Sequence, residues 1–418
     1  MATVTPRVSE APLIRYSRWA LAVTIACMPL YVVRYRIGPL PTTLLEDLLL
    51  ITIGLYIAGR YQGRDWHPAR TSLEIPIVLL LLAGLIGIAI SPDHVGAAGI
   101  YRAYFIEPIA LFYVAIDLMR TPHDFRVVLL GLAIGATIFA VMNLGAWAVA
   151  IARHEAIHSG NAPEALYTSP NAVAMFLEPP IAIAAGFALY ANEGRDRRLA
   201  LACLAVLLAA MVFTLSRAGL LTVAVLALVA IITMPSRRVK AVILGGAIIG
   251  GLVVAQIPLV NERLVHQLDP NYKFNTFEGR LQIWSDTLHM LRDHPIVGAG
   301  LRAYTQVMAP YVTGNRIPEL YPHNVYLAMW SELGLLGLAA FLVLLGMLLW
   351  RGWRAFYRAQ GFARPLLWGT SAAFVAIAVH GGFDTPIYKN DLAVEFWIVA
   401  ALEIAAITSL VKPATGNP

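Results

Sequence analysis

Residues 127–150 read VVLLGLAIGATIFAVMNLGAWAVA, and no charged side chain interrupts them. An α-helix rises about 1.5 Å per residue, so a stretch of this length spans the roughly 30 Å hydrocarbon core of a bilayer. Inside hydrocarbon each backbone amide must find its partner within the same segment, which favours a helix over an open strand. This stretch therefore predicts a transmembrane helix.

The same pattern recurs along the whole chain. The sequence has 418 residues, of which 59% are hydrophobic and 13% are charged, whereas about a quarter of the residues in a soluble domain are charged. We predict an all-α, polytopic integral membrane protein with about twelve transmembrane helices. The predicted spans are 17–33, 40–59, 74–90, 97–119, 127–150, 170–190, 199–214, 218–234, 239–258, 323–349, 365–383 and 391–411.

The spans divide the chain into three parts. Residues 1–258 hold the first nine helices, residues 259–322 form a long polar loop with short helices, and residues 323–418 hold the last three. A structured loop of that length is usually functional. Within it we predict a helix from Arg280 to Arg292.

The distribution of positive charge predicts the orientation. An even number of spans places both termini on one side, and the short loops of that side hold most of the 31 basic residues. Short basic loops face the cytoplasm, so we predict cytoplasmic termini and a long loop on the opposite face. The net charge of +6 then reflects membrane topology, and no nucleic-acid partner is expected.

Several signatures of soluble enzymes are missing from the sequence. It contains no Walker loop, no HExxH, no paired CxxC and no Asp-x-Asp motif. These motifs hold nucleotides or metals, so we expect neither ATP-driven transport nor cytosolic nucleotide-sugar chemistry. We predict that the protein uses no metal and no cofactor.

Two arginines stand at predicted outer helix ends. Arg217 lies in the short turn LSRAG between the seventh and eighth spans, and Arg280 opens the predicted loop helix. An arginine near hydrocarbon is costly, and its planar fork fits phosphate oxygens. A cation at a helix N-terminus opposes the helix dipole, so Arg280 requires an anion nearby. Alternatively, Arg217 snorkels to lipid head groups, and Arg280 forms a surface salt bridge with Glu278 or Asp286.

A histidine opens the tenth predicted span. His323 follows Pro322, and Asn324 follows His323. An imidazole can accept a proton from a hydroxyl at neutral pH, which is the task of a general base. Asn324 either caps the helix or orients a ligand. The plainer alternative is that His323 only begins the helix.

Two further polar groups leave their purpose open. Arg102 and Glu107 lie within the fourth span. Their offset of five residues is not the ideal spacing for a side-chain pair on an α-helix. A structural ion pair and a role with substrate both remain open for them. For the outer turn that contains His380, Asp384 and Lys389 we expect a structural use.

The order of these motifs resembles the O-antigen ligase and O-antigen polymerase superfamily. The resemblance covers about residues 200–340. It is carried by SRAG at 216–219, GRxxxW at 279–284, DHPxxGxG at 293–300, HNxxL at 323–327 and ExG at 332–334.

The resemblance implies a membrane-embedded glycosyltransferase of the GT-C type. Such an enzyme takes a glycan from undecaprenyl pyrophosphate at the periplasmic face of the bacterial inner membrane. In the ligase branch the acceptor is the lipid A-core oligosaccharide and the product is lipopolysaccharide; this is the function that we predict. The polymerase branch, which joins lipid-linked repeat units, is the alternative. A transporter of lipid-linked glycans is a third hypothesis, because it would use the same arginines along a substrate path.

The resemblance also implies roles for single residues. Arg217 and Arg280 would bind the pyrophosphate, and His323 would be the general base of an inverting transfer that needs no metal. As substrate-binding residues we predict Asn324, Tyr321, Arg302 and Arg102.

Overall fold

The computed structural model describes residues 12–38, 40–63, 69–155, 157, 162–256, 258, 276–314 and 316–411. Both chain ends, and residues 259–275 of the predicted long loop, lie outside this described part. The helices are α1 (Pro12–Ala26), α2 (Leu44–Gly63), α3 (Glu74–Ile90), α4 (His94–Tyr101), α5 (Glu107–Leu118), α6 (Pro122–Ala152), α7 (Pro170–Tyr190), α8 (Gly194–Phe213), α9 (Arg217–Thr233), α10 (Arg237–Ala255), α11 (Thr276–Asp293), α12 (Tyr304–Met308), α13 (Val325–Phe356), α14 (Ala363–Gly381) and α15 (Asn390–Ser409).

Short elements complete the described chain. A π-helical turn, Arg102–Ile106, joins α4 to α5, and 3-10 turns lie at Met28–Val32 and Ala309–Tyr311. Strands β1 (Arg34–Ile37) and β2 (Leu40–Thr43) pair as an antiparallel hairpin. Helix makes up 78% of the structure and strand 2%, so the prediction of an all-α protein is confirmed.

The described helices fit a membrane environment. Each predicted span overlaps one of them, with α4 and α5 together forming the fourth. By length and composition, 5 helices among the described residues could cross a bilayer: His94–Leu118, Pro122–Ala152, Pro170–Tyr190, Val325–Phe356 and Asn390–Ser409. The helices α3 and α9 are equally apolar but shorter.

Apolar side chains also cover the outer surface of the bundle. On α10, Val242 is 73% exposed, Ile249 is 64% exposed and Leu252 is 61% exposed. A soluble protein rarely leaves such a continuous apolar face in water. Lipid is the solvent that makes this surface stable.

The centre of the bundle is formed by α7, α14 and α15. In the apolar stretch of α7, 89% of the residues are buried, and in that of α15, 83% are buried. The backbones of α7 and α14 approach closely, because a Cβ on Gly186 would lie only 2.4 Å from the carbonyl oxygen of Pro365. At the other end of this antiparallel pair, the start of α7 lies beside the turn that follows α14, where Asn171 contacts Asp384.

Candidate functional site

Asp384, in the turn between α14 and α15, is the residue on which the predicted site residues meet. It is 2% exposed. Its Oδ1 accepts hydrogen bonds from His323 Nδ1 at 3.4 Å and from the amide of Thr385 at 3.0 Å. Its Oδ2 accepts one from Asn171 Nδ2 at 3.0 Å, and Arg280 Nη2 lies 3.6 Å away. Both oxygens of Asp384 therefore have polar partners, three through hydrogen bonds and one through an ion pair.

The surroundings of Asp384 keep it ionised. Burial alone would raise the pKa of its carboxyl group, but the hydrogen bond from His323 and the charges of His323, His380 and Arg280 lower it below the ordinary value. Opposite charges within a few ångströms favour the charged form of a carboxyl group. Asp384 is therefore an anion that holds an imidazole and a guanidinium together.

The backbone of His323 adopts an unusual conformation. Its φ is 48°, in the left-handed region, which a residue with a Cβ enters at a cost of about 1–2 kcal/mol. The carbonyl of Pro322, just before it, accepts a hydrogen bond from Trp284 Nε1 at 3.0 Å. Strained residues of this kind cluster at functional sites, where the surrounding structure holds them in place.

Asn324 caps helix α13 directly after His323. Its Oδ1 accepts hydrogen bonds from the amides of Tyr326 at 3.0 Å and Leu327 at 3.1 Å. Its Nδ2 donates to the carbonyl of Gly382 at 3.1 Å, in the turn that carries Asp384. The amide of Asn324 thus joins the two turns of the site, and its contacts fit the predicted helix cap rather than the orienting of a ligand.

Tyr321 lies beside the imidazole. Its ring centroid is 4.7 Å from that of His323. Burial, together with the charge of Asp384, raises the pKa of Tyr321 to about 12. Its hydroxyl is therefore protonated at neutral pH and can donate a hydrogen bond, which leaves His323 as the better base of the two.

Arg217 is connected to the same carboxylate through its neighbour in the chain. Ser216 caps α9 by accepting a hydrogen bond from the amide of Gly219, and its hydroxyl donates to Asn171 Oδ1 at 2.7 Å. The other end of the Asn171 amide donates to Asp384. Arg217 itself is half-buried and begins α9. Two hydrogen bonds, Ser216 to Asn171 and Asn171 to Asp384, connect the start of this helix to the centre of the site.

Arg280 lies within α11 and not at its start. The helix begins at Thr276, so the prediction of a helix from Arg280 to Arg292 is confirmed in place and wrong in its first residue. The anion near Arg280 is Asp384. Asp286, considered above as its salt-bridge partner, pairs with Arg316 instead.

Arg302 does not reach Asp384. Its guanidinium pairs with Asp93 at 3.3 Å, and both side chains are more than half exposed. Its backbone amide donates to the buried carboxylate of Glu332. The structure therefore separates Arg302 from the group of residues around Asp384.

The motif that precedes Arg302 is a docking segment. The amide of Ala299 donates to the carbonyl of Ser331 at 2.6 Å, and that of Leu335 donates to the carbonyl of Ile296 at 2.8 Å. Gly334 interrupts α13 with a φ of 70°, and a Cβ there would lie 2.4 Å from the carbonyl oxygen of Ile296. Gly298 of the DHPxxGxG motif and Gly334 of the ExG motif thus allow the two backbones to pack closely.

Arg102 belongs to an ion-pair network at the hairpin. Its Nη2 lies 3.0 Å from Glu46 Oε2 and 3.1 Å from the carbonyl of Pro41, and its Nε lies 3.3 Å from Glu107 Oε1. The π-helical turn repeats its hydrogen bonds every five residues, which brings residues 102 and 107 together. Their offset is therefore a pairing after all, contrary to the expectation from α-helical geometry.

The sequence does not indicate that Asn171 belongs to the site, and it predicts only a structural use for Asp384. A single asparagine at the start of an apolar helix carries no signal of its own. Lys389, from the same turn as Asp384, stacks on Tyr31 at 4.6 Å and on Tyr167 at 4.2 Å from the ring centroids. In this turn Asp384 contacts two of the predicted catalytic residues, His323 and Arg280, whereas Lys389 packs against aromatic rings.

Comparison with known proteins agrees with these motifs. No curated protein matches the chain. A family model described as O-Antigen ligase matches residues 202–342; this region includes Arg217, Arg280 and His323, while Asp384 lies beyond it. The match, which covers residues 202–342, supports the resemblance of the chain to the O-antigen ligase superfamily.

Proposed function

We propose that the protein is an O-antigen ligase, which transfers O-antigen polysaccharide from undecaprenyl pyrophosphate to the lipid A-core oligosaccharide. The observation that carries the proposal is the contact of both His323 and Arg280 with the carboxylate of Asp384. These two residues come from separate parts of the matched family region, and they meet where a base and a cation are needed together.

The proposed membrane arrangement follows from the charge pattern. All of the predicted spans cross the inner membrane in this proposal, with both termini in the cytoplasm and the site on the periplasmic face. The polar residues of the site lie at the ends of α7, α9, α13 and α14 that face one another. In this proposal the protein is a membrane-embedded glycosyltransferase of the GT-C type, and its lipid-linked donor reaches the site from the bilayer.

His323 acts as the general base in this proposal. Its Nδ1 faces Asp384, so a proton on Nδ1 is donated to the carboxylate and the lone pair of Nε2 is left for substrate. A carboxylate that fixes the tautomer of a histidine in this way is a common arrangement in enzymes. The His323 side chain is 26% exposed, which leaves it accessible to an acceptor hydroxyl.

The reaction is a single displacement. The acceptor hydroxyl gives its proton to His323 Nε2, and its oxygen forms a bond to the anomeric carbon of the donor sugar. The bond between that carbon and the pyrophosphate oxygen breaks, and its electron pair leaves with undecaprenyl pyrophosphate. Attack from the side opposite the leaving group inverts the anomeric configuration.

The arginines stabilise the leaving group. A guanidinium has five N–H donors, so the contact of Arg280 Nη2 with Asp384 leaves donors for phosphate oxygens. Arg217 would approach the same phosphates from the start of α9. Such cations act most strongly where negative charge develops in the transition state. The Tyr321 hydroxyl is placed to donate a hydrogen bond to a sugar beside His323.

Purified protein tests the proposal directly. The protein in detergent is mixed with glycan-linked undecaprenyl pyrophosphate and lipid A-core, and the product is separated by gel electrophoresis. We expect a lipid A-core band of higher mass. A transporter would give no covalent product in this single compartment, and that result would refute the transferase proposal.

A deletion strain separates ligase from polymerase. Loss of a ligase leaves finished polymer on undecaprenyl pyrophosphate and removes the polysaccharide ladder from lipid A. Loss of a polymerase leaves lipid A-core with at most one repeat unit. We expect the first result; single repeat units on lipid A-core would contradict the assignment as a ligase.

A further inference from the structure

Below Asp384, inside the bundle, lies a second pair of ionisable residues that the proposed reaction does not use. His380 in the last turn of α14 is 0% exposed, and Glu178 on α7 is 1% exposed. His380 Nδ1 lies 2.5 Å from Glu178 Oε1. Burying such a pair has a desolvation cost that the mutual attraction does not always offset. This cost suggests that the pair in the apolar centre serves the function of the protein.

The pair is connected to Asp384 through the backbone. The carbonyl oxygen of His380 accepts hydrogen bonds from the amide of Phe383 at 2.8 Å and from the amide of Asp384 at 2.9 Å. These bonds form the turn that ends α14. The position of His380 therefore determines where the backbone of Asp384 lies.

The pair also fixes the helix that holds the other side of Asp384. Glu178 and Asn171 are seven residues apart on α7, which places them on the same helical face. Asn171 donates to Asp384, and Glu178 contacts His380. The two contacts join α7 and α14 at two successive levels, one in the site and one beneath it.

A third helix is attached to the same pair. Thr222 of α9 lies beside Glu178, its hydroxyl donates to the carbonyl of Ala218, and α9 begins with Arg217. Glu178 thus contacts the helix that presents Arg217 and the helix that presents Asp384. Each residue also has a buried polar atom without a hydrogen-bond partner among the described residues, His380 Nε2 and Glu178 Oε2.

We infer that Glu178 and His380 are positioning residues for glycan transfer, which fix the turn of Asp384 and thereby the placement of His323 and Arg280. This inference rests on the proposed function. Neither residue contacts substrate in this account; both act through Asp384. The charge of His380 also contributes to the lowered pKa of Asp384, which agrees with the geometry.

The experiment compares Glu178→Gln and His380→Gln with the wild type in the purified transfer assay. A displacement of a reacting group by about 1 Å can cost about 100-fold in rate, so we expect kcat to fall about 10- to 100-fold. The KM for the donor should change less than about threefold, because Arg217 and Arg280 are still present. A merely structural role would lower the yield of folded protein and leave the kcat of the folded fraction unchanged.

The pH profile gives a second readout. His380 contributes to the electrostatic environment of Asp384, so substitution of either member of the pair should move the acidic limb of kcat/KM by up to about one unit. The titratable and charged groups that face Asp384 or the pair are His323, Arg280, Tyr321, Lys389 and Glu395, and all of them are unchanged in these variants.

A matched control lies in the same bundle. Glu403 of α15 is also 0% exposed and is bound by the hydroxyls of Thr370 and Ser371 at 3.2 Å; these two residues lie in the first half of α14, away from the turn of Asp384. Glu403→Gln should leave kcat and the acidic limb unchanged. An equal loss in this variant would show that any buried carboxylate has the same effect, and it would overturn the inference.

A double substitution addresses misfolding. Replacing a buried ion pair by apolar residues often preserves stability, so Glu178→Leu with His380→Leu should yield folded protein with the same reduced kcat. Wild-type kcat and an unshifted limb in the folded double variant would overturn the inference. An inactive wild type would refute the proposed function itself, which keeps the two failures distinct.

Discussion

The substitution Asp384→Asn tests the residue on which the site is built. Asparagine has nearly the same shape, keeps one carbonyl oxygen for the amide of Thr385, and removes the charge that attracts His323 at 3.4 Å and Arg280 at 3.6 Å. A hydrogen bond to a charged group contributes about 1.5–3 kcal/mol. Loss of both interactions therefore costs roughly 3–6 kcal/mol, which corresponds to a fall in kcat of about 150- to 25,000-fold.

The assay for this variant is the purified transfer reaction under saturating donor and acceptor. Asp293→Asn is the control, because Asp293 is exposed and contacts only the hydroxyl of Tyr311 among the described hydrogen bonds, at 2.7 Å. We expect the control to retain at least half of the wild-type rate. Wild-type kcat in folded Asp384→Asn would refute the reasoning that Asp384 organises the base and the cation.

Further predictions concern the cation, the kinked helix and pH. Arg280→Lys should lower kcat about 100-fold, because a lysine lacks the planar fork of a guanidinium. Arg292 is exposed on the same helix, so Arg292→Lys should leave kcat unchanged. Steady-state kinetics compares the two variants, and equal rates would contradict the prediction. Gly334→Ala should destabilise the protein by roughly 2–6 kcal/mol, since a Cβ would meet a carbonyl oxygen at 2.4 Å and φ is 70°. The control is Gly346→Ala, where a Cβ meets no atom within 4 Å. Thermal unfolding of the two variants measures the difference, and equal Tm values would contradict the prediction. The pKa of Asp384 is lowered from its ordinary 3.8, so the charge of Asp384 stabilises the fold above that pH, and this contribution is lost as pH falls through the lowered pKa. The Tm difference between wild type and Asp384→Asn should therefore shrink on acidification. A constant difference would contradict the conclusion that Asp384 is ionised in the folded protein.

The helices were predictable because hydrophobicity over a length of about 20 residues is a strong signal. The span predicted at 74–90 coincides with α3, and that at 170–190 coincides with α7. The number of helices that cross the bilayer is less directly visible, because α9 is only 17 residues long and α8 begins with several charged residues. Their assignment as spans depends on the charge pattern of the loops.

The side-chain partners were less predictable, because they depend on contacts across long stretches of chain. Asp384 is 61 residues from His323, and nothing in the local sequence HGGFDTP indicates that contact. Asn171 connects Ser216 to Asp384, again over distances that periodicity does not report. The pairing of Arg102 with Glu107 was left open for a different reason: the local backbone is π-helical, and the α-helical rule for side-chain neighbours does not apply there.

The sequence also grouped residues whose tasks differ. The motif around Arg302 stood beside the catalytic motifs, yet its glycines serve backbone packing against α13 and its arginine pairs with Asp93. Residues needed for a sharp turn and residues needed for chemistry follow one another in the chain. Only their contacts distinguish them.

The most direct test of the account is the transfer rate of His323→Ala, measured with purified protein, undecaprenyl-pyrophosphate-linked glycan and lipid A-core. We expect folded protein that binds the donor with nearly wild-type affinity, because Arg217 and Arg280 remain, and that forms no detectable product. Glycan transfer by this variant at the wild-type rate would contradict the assignment of His323 as the base.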